Sequence, residues 1–196
     1  MFNPYLRMLA HVPRWSIVPT IRQQSVAEHS FFVSLYVAEL MHEHCSSWSD
    51  TKKLDVLRMA LMHDTAEARM SDIPGPVKRA IRDEAAYKAF ETSVMVELGT
   101  HFPEDHREDG ALLIKAADLI DEYMFISAER AMGNAAVGRL CNQVYSRMEA
   151  ALRNAGMPLC VAARVGVSAG SLEDFQPLED NTDVSLKTDL SDEIPF

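Results

Sequence analysis

The sequence predicts an all-α protein, a bundle of helices closed around one core. Three observations carry that reading. Apolar residues recur at helical spacing through most of the chain, cap and proline signals separate the segments, and strand-like alternation is nearly absent. Residues 4–11 suggest a short helix, and Pro13 and Pro19 then bracket a loop. Ser25 followed three positions later by Glu28 is a capping-box pattern. It opens a helix with Val26, Phe32, Val33, Tyr36, Val37, Leu40 and Met41 on its apolar face. Ser49 or Asp50 caps the next, whose Leu54, Leu57, Leu61 and Met62 lead into His63. Residues 71–76 read as a turn, and Pro76 suits the first position of a helix continuing to about Leu98. Helical patterns follow over roughly 109–132 and 136–154, and only 159–167 resembles a strand. The prediction is helix packed on helix around one core.

Bulk properties narrow the function classes. With 196 residues the chain can bury a sizeable core, and its 47% hydrophobic and 24% charged residues are ordinary for a soluble globular protein. No apolar run approaches the ~18 residues of a membrane span, and no secretory pattern opens the chain, so no membrane partner is expected. Cys45, Cys141 and Cys160 are odd in number and unrelated in spacing, which argues against a disulfide framework and for a reducing, cytoplasmic setting. The net charge is −10, but 171–196 alone holds eight acidic residues against Lys187, a net of −7. The organisation expected is therefore a folded domain over 1–170 and an acidic, disordered tail over 171–196. A body at −3 and an acidic tail exclude duplex nucleic acid as a partner.

The chemistry is carried by His29, the pair His63–Asp64, and Asp118, in the order H…HD…D. Two imidazoles and two carboxylates form a donor set of intermediate hardness, suited to Mn²⁺, Co²⁺, Fe²⁺, Zn²⁺ or Mg²⁺. With four protein ligands, an octahedral ion keeps about two positions for water and a phosphate oxygen. Antiparallel helices can bring such distant residues to one point inside a bundle. Glu67 lies four residues after His63 and shares its face if the helix continues, and Lys115 lies three residues before Asp118. Any one of these histidines read alone would be a core or surface residue; the set points to a site. His42 and His44 read as charges at a helix end, His101 and His106 as solvated loop residues, and the eleven methionines as core fillers. Trp15, next to Arg14 in a proline-bounded loop, is either a structural indole or a stacking surface for a base or sugar.

Arg14-Trp15, Ser25-Val26-Ala27-Glu28-His29-Ser30, His63-Asp64-Thr65-Ala66-Glu67, the run from Met70 to Lys78, and Lys115-Ala116-Ala117-Asp118 together resemble the HD-domain phosphohydrolases. The resemblance is greatest to the YfbR-type 5′-deoxynucleotidase branch, and it covers residues ~5–155. It implies an HD-domain helical bundle and a homodimer with one divalent ion (Co, Mn, Zn, Fe or Mg) per site. It implies His29, His63, Asp64 and Asp118 as metal ligands. Glu67 takes the place of the acid that orients the attacking water or exchanges a proton with it and the leaving oxygen. Asp72 takes that of a second acid organising the substrate end. Arg14 and Trp15 match nucleotide contacts, the indole packing where a 2′-hydroxyl would project, and Lys78 and Lys115 match basic positions near the phosphate. Ile17 and Pro76 are candidate apolar walls for the base.

The expected activity is hydrolysis of a deoxynucleotide substrate, a 2′-deoxynucleoside 5′-monophosphate, to deoxynucleoside and phosphate. The alternative is a phage-type dATP or dNTP triphosphohydrolase that releases triphosphate, with which Arg14-Trp15-Ser16-Ile17 is also compatible. A catalytically silent nucleotide-binding HD module would have lost a ligand or the acid, and all are present here. A (p)ppGpp-type hydrolase fits the Arg14-Trp15 pair and the short chain less well.

Overall fold

The computed structural model describes residues 3–100 and 107–170. A 3₁₀ segment, Pro4–His11, leads into α1 (Val26–His44), α2 (Asp50–Met62), α3 (Glu67–Met70), α4 (Gly75–Ala80), α5 (Glu84–Glu97), α6 (Arg107–Ala131), α7 (Gly138–Asn154) and α8 (Leu159–Gly170). Among the described residues there is no strand, only an isolated antiparallel bridge between Pro13 and Ser25. The all-α expectation holds, and 159–167, the one strand-like stretch, is helical. The acidic segment 171–196 and the histidines His101 and His106 lie outside the described residues.

Local chemistry explains where the helices start and stop. Ser25 Oγ accepts from the Glu28 amide while the Glu28 carboxylate accepts from the Ser25 amide, so the predicted capping box forms. Ser49 caps α2. The helix expected from Pro76 to Leu98 is two helices instead. Ile81 turns extended and the Asp83 carboxylate accepts from the Ala86 amide, starting α5 afresh. Nor does α2 continue through His63 to Glu67. The His63 Nδ1–H donates to the Ala60 carbonyl at 2.7 Å and Thr65 Oγ1 to the Met62 carbonyl at 2.9 Å, so side chains take the last carbonyls and the helix ends at Met62.

Helix α6 is the spine, packed against α1, α2, α7 and α8. The core gathers Val33, Val37 and Leu40 of α1, Val56 and Met59 of α2, Leu113, Ala117 and Ile120 of α6, and Met148 and Leu152 of α7. At Gly110 the approach to α2 is so close that a Cβ would stand 3.0 Å from Val56 Cγ2. A second cluster joins Trp15, Val18 and Leu140 to Phe125, Ile126, Val137 and Cys141, fastening the 12–25 loop to α6 and α7. Glu129 of α6 is 0% exposed and accepts from the Ile21 amide, the Arg22 amide at 2.9 Å and Asn134 Nδ2 at 3.0 Å. That carboxylate pins the far end of the same loop.

Candidate functional site

The site is built where α1, the end of α2 and the middle of α6 converge. His29 sits in the second turn of α1 and is 0% exposed. Its Nδ1 is 2.6 Å from Asp121 Oδ2, and its Nε2 is 3.3 Å from Asp118 and 3.5 Å from Asp64. His63 and Asp64 follow α2 directly, with His63 Nε2 3.2 Å from the Asp64 carboxylate. The two imidazole rings lie 5.3 Å apart. Because a carboxylate and a carbonyl only accept, both Nδ1 atoms carry hydrogen, and both Nε2 atoms turn to the cluster. Both Nε2 atoms are buried without a hydrogen-bond partner.

One ligating atom each from His29, His63 and Asp64 can be chosen so that all lie within 4.8 Å of one another. Asp118 joins through His29, and its second oxygen takes the Lys115 ammonium. Two orphaned imidazole nitrogens beside two carboxylates suit a divalent cation, and the hydrogen bonds at Nδ1 are those that orient a metal-binding histidine. The surrounding carboxylates make this point attractive to positive charge. Burial and the Arg14 guanidinium oppose a charge on His29, but the carboxylates of Asp118 and Asp121 prevail and raise its pKa to about 9. Burial also works against Asp64 and Asp118, yet the histidines and neighbouring cations keep both carboxyls below their ordinary range.

The cluster faces a cavity of about 1050 Å³. Asp64, Asp118, Glu67, Asp72, Arg14, Trp15, Ile17, Pro76, Lys78 and Lys115 all line it, whereas His29 and His63 meet its wall from behind, through Asp64 and Asp118. Ten of the twelve sequence-selected residues therefore open onto one cavity and the other two adjoin it. Ile17, 61% exposed, stands at its mouth. Glu67 opens α3 and is buried; burial and the Asp64 charge raise its carboxyl to about 8, although Lys78 Nζ lies 3.3 Å away. Arg14 is wedged between Asp64 at 3.6 Å and Glu122 at 3.9 Å. Trp15 stacks on Phe125 with ring centres 5.4 Å apart and planes 7° from parallel.

Sequence reasoning missed several members of the site. Asp121 and Glu122 lie three and four residues after Asp118 on α6, a helical spacing that could have marked both. Glu122 is pushed upward by burial and by Asp118, against Arg147, whose guanidinium lies 3.2 Å away. Gln24, next to the α1 cap, carries no signal in sequence. The polar face of α7, with Arg139, Asn142, Gln143, Ser146 and Arg147, completes the cavity but reads in sequence as a solvated face.

The model of the family described as 5′-deoxynucleotidase YfbR-like matches residues 1–161. A 5′-deoxynucleotidase of Vibrio vulnificus is 27% identical over 150 residues, spanning 68% of this chain and 76% of its own. That of Cronobacter sakazakii is 27% identical over 148 residues, spanning 68% and 74%. Among solved structures, the cyanophage S-2L HD phosphohydrolase DatZ, bound to dA and one catalytic Zn²⁺, aligns with a TM-score of 0.63 at 19% identity, over 87% of this chain and 96% of that one. The PH0347 protein of Pyrococcus horikoshii aligns with a TM-score of 0.63 at 23% identity, over 88% and 96%. At such identities the two structures establish a shared fold.

Proposed function

This chain belongs to the YfbR-like 5′-deoxynucleotidase family, and from that premise we propose that it hydrolyses 2′-deoxynucleoside 5′-monophosphates to deoxynucleoside and phosphate. The observation that carries the reading is the pair of buried, unpartnered Nε2 atoms beside Asp64 and Asp118, on the wall of a cavity that also holds lysines and an indole. His29, His63, Asp64 and Asp118 would hold one divalent ion. When bound, such an ion supplies Lewis acidity to a water and to the phosphoryl group.

The chain's own residues supply the rest. Lys78 and Lys115 neutralise the non-bridging phosphate oxygens, and Arg14 adds a third cation at the same wall. Glu67, whose carboxyl burial and the Asp64 charge push upward, orients the water and exchanges a proton with it and with the 5′-oxygen. The water oxygen bonds to phosphorus, the P–O5′ bond breaks, and the proton ends on the 5′-oxygen. No protein nucleophile is needed. Asp72 organises the substrate end. Trp15 packs against the sugar where a 2′-hydroxyl would project, and Ile17 and Pro76 flank the base.

The unit is a homodimer, and Phe31, Phe32 and Leu35 of α1 expose apolar surface that a second copy would cover. The setting is cytoplasmic, consistent with three free cysteines; no helix among the described residues is long and apolar enough to cross a membrane. A product assay with Mn²⁺, Co²⁺ or Zn²⁺ present tests the proposal by offering dAMP, AMP and dATP separately. Phosphate from dAMP, with AMP poor and dATP untouched, is expected. Intact triphosphate from dATP would replace the proposal with a triphosphohydrolase.

A further inference from the structure

We propose that Gln24 is a positioning residue that ties the indole of Trp15 to His29, so that ion binding and selection for deoxyribose are set together. The inference rests on the functional reading above. Gln24 is buried, and its amide spans two groups of opposite need. Trp15 Nε1, which can only donate, gives its hydrogen to Gln24 Oε1 at 2.9 Å. Gln24 Nε2 donates in turn to Asp121 Oδ2 at 2.9 Å, and the same oxygen accepts from His29 Nδ1 at 2.6 Å. Reversing the amide would set donor against donor and acceptor against acceptor, so one orientation serves.

The backbone reinforces this chain of bonds. The Arg14 amide donates to the Gln24 carbonyl at 2.9 Å and the Val26 amide to the Val12 carbonyl at 3.0 Å, pairing the loop with the entry to α1. Trp15 itself has φ +63°, a left-handed conformation that costs a bulky residue energy and persists only when its surroundings hold it. Helix α6 holds it twice. Phe125 stacks beneath the ring, and Asp121, one turn earlier, holds the indole N–H through Gln24. Any change in the placement of His29 therefore passes through Asp121 and Gln24 to the sugar-facing indole, and the coupling runs equally in the other direction.

The test uses the full chain with Trp48→Phe, which leaves Trp15 as the one indole, and Zn²⁺ as the probe because it is not paramagnetic. Calorimetry gives Zn²⁺ affinity, emission and acrylamide quenching report Trp15, and kcat/KM is measured for dAMP and AMP. Zn²⁺ is expected to shift the emission and reduce quenching. In Gln24→Met, Zn²⁺ should bind a few-fold more weakly, short of the roughly tenfold lost when a hydrogen-bond partner of a metal-binding histidine is itself removed. Its emission response should vanish, and its dAMP-to-AMP ratio should fall toward that of Trp15→Ala. Unchanged affinity and ratio in Gln24→Met would overturn the inference and leave the metal site standing. So would a Zn²⁺-binding parent with silent emission, a result that needs no Gln24 variant to fold. A parent that binds no Zn²⁺ would overturn the metal reading and the coupling with it.

Discussion

Replacing Glu129 with Gln removes a charge and one acceptor from a carboxylate that holds three donors in the interior. The Ile21 amide and Asn134 Nδ2 share Oε2, and the Arg22 amide takes Oε1. The better orientation of a glutamine keeps its oxygen for the first pair and turns its NH₂ toward the Arg22 amide. One buried donor is then unpaired, at about 1–3 kcal/mol, and the two remaining bonds lose their charge assistance. The sum is about 2–4 kcal/mol, or roughly 4–16 °C in Tm for a chain of this length. The pH dependence is a second signature. Burial opposes ionisation of Glu129, but its hydrogen bonds prevail and hold the carboxyl below the ordinary value of 4.5. The stabilisation is thus fully present above that value and is lost as pH falls through the lower folded one. Thermal melts of parent and Glu129→Gln at pH 7 should differ most, with the gap closing toward pH 3. A Tm change below about 2 °C at pH 7, or a gap that ignores pH, would refute the account of what pins the loop.

Glu67→Gln should lower kcat by about 10²–10⁴-fold while Zn²⁺ affinity by calorimetry stays within a few-fold; undiminished turnover would remove Glu67 from the chemistry. Trp15→Ala should narrow the preference for dAMP over AMP in kcat/KM, and an unchanged ratio would leave Trp15 a purely structural indole. Gly110→Ala places a methyl 3.0 Å from Val56 Cγ2, an overpacking cost of about 1–3 kcal/mol against about 1 kcal/mol gained in helix propensity, so urea unfolding should show a net loss of up to about 2 kcal/mol with kcat nearly intact. A stabilised variant would mean that α2 and α6 can separate freely at that point.

Helix positions were legible because their signals are local. The Ser25–Glu28 box and the apolar stripe of α1 need no tertiary information, and they mark that helix correctly. The break after Met62 and the split at Ile81–Asp83 were not legible, because in each a side chain competes with the backbone for a bond that helix periodicity does not reveal. The motif residues stood out by type and order. Asp121 and Gln24 did not, since a buried hydrogen-bonding partner is recognised by what it touches. Asp121 had at least its spacing from Asp118; Gln24 precedes a cap and looks like any polar loop residue.

The tethers on the two imidazoles also have a thermodynamic consequence. With Nδ1 of His29 held by Asp121 and Nδ1 of His63 held by the Ala60 carbonyl, neither ring is free to rotate, so the rotamer entropy of both is surrendered during folding. An ion held by these two nitrogens, as proposed, would meet donors already aimed at it, and its binding energy would not be consumed in ordering them. Such binding would also add resistance to heat, about 2.7 kcal/mol once the free ion reaches a hundred times its Kd. The metal content of the surroundings thus becomes a determinant of how long this chain stays folded, as well as of how fast it works.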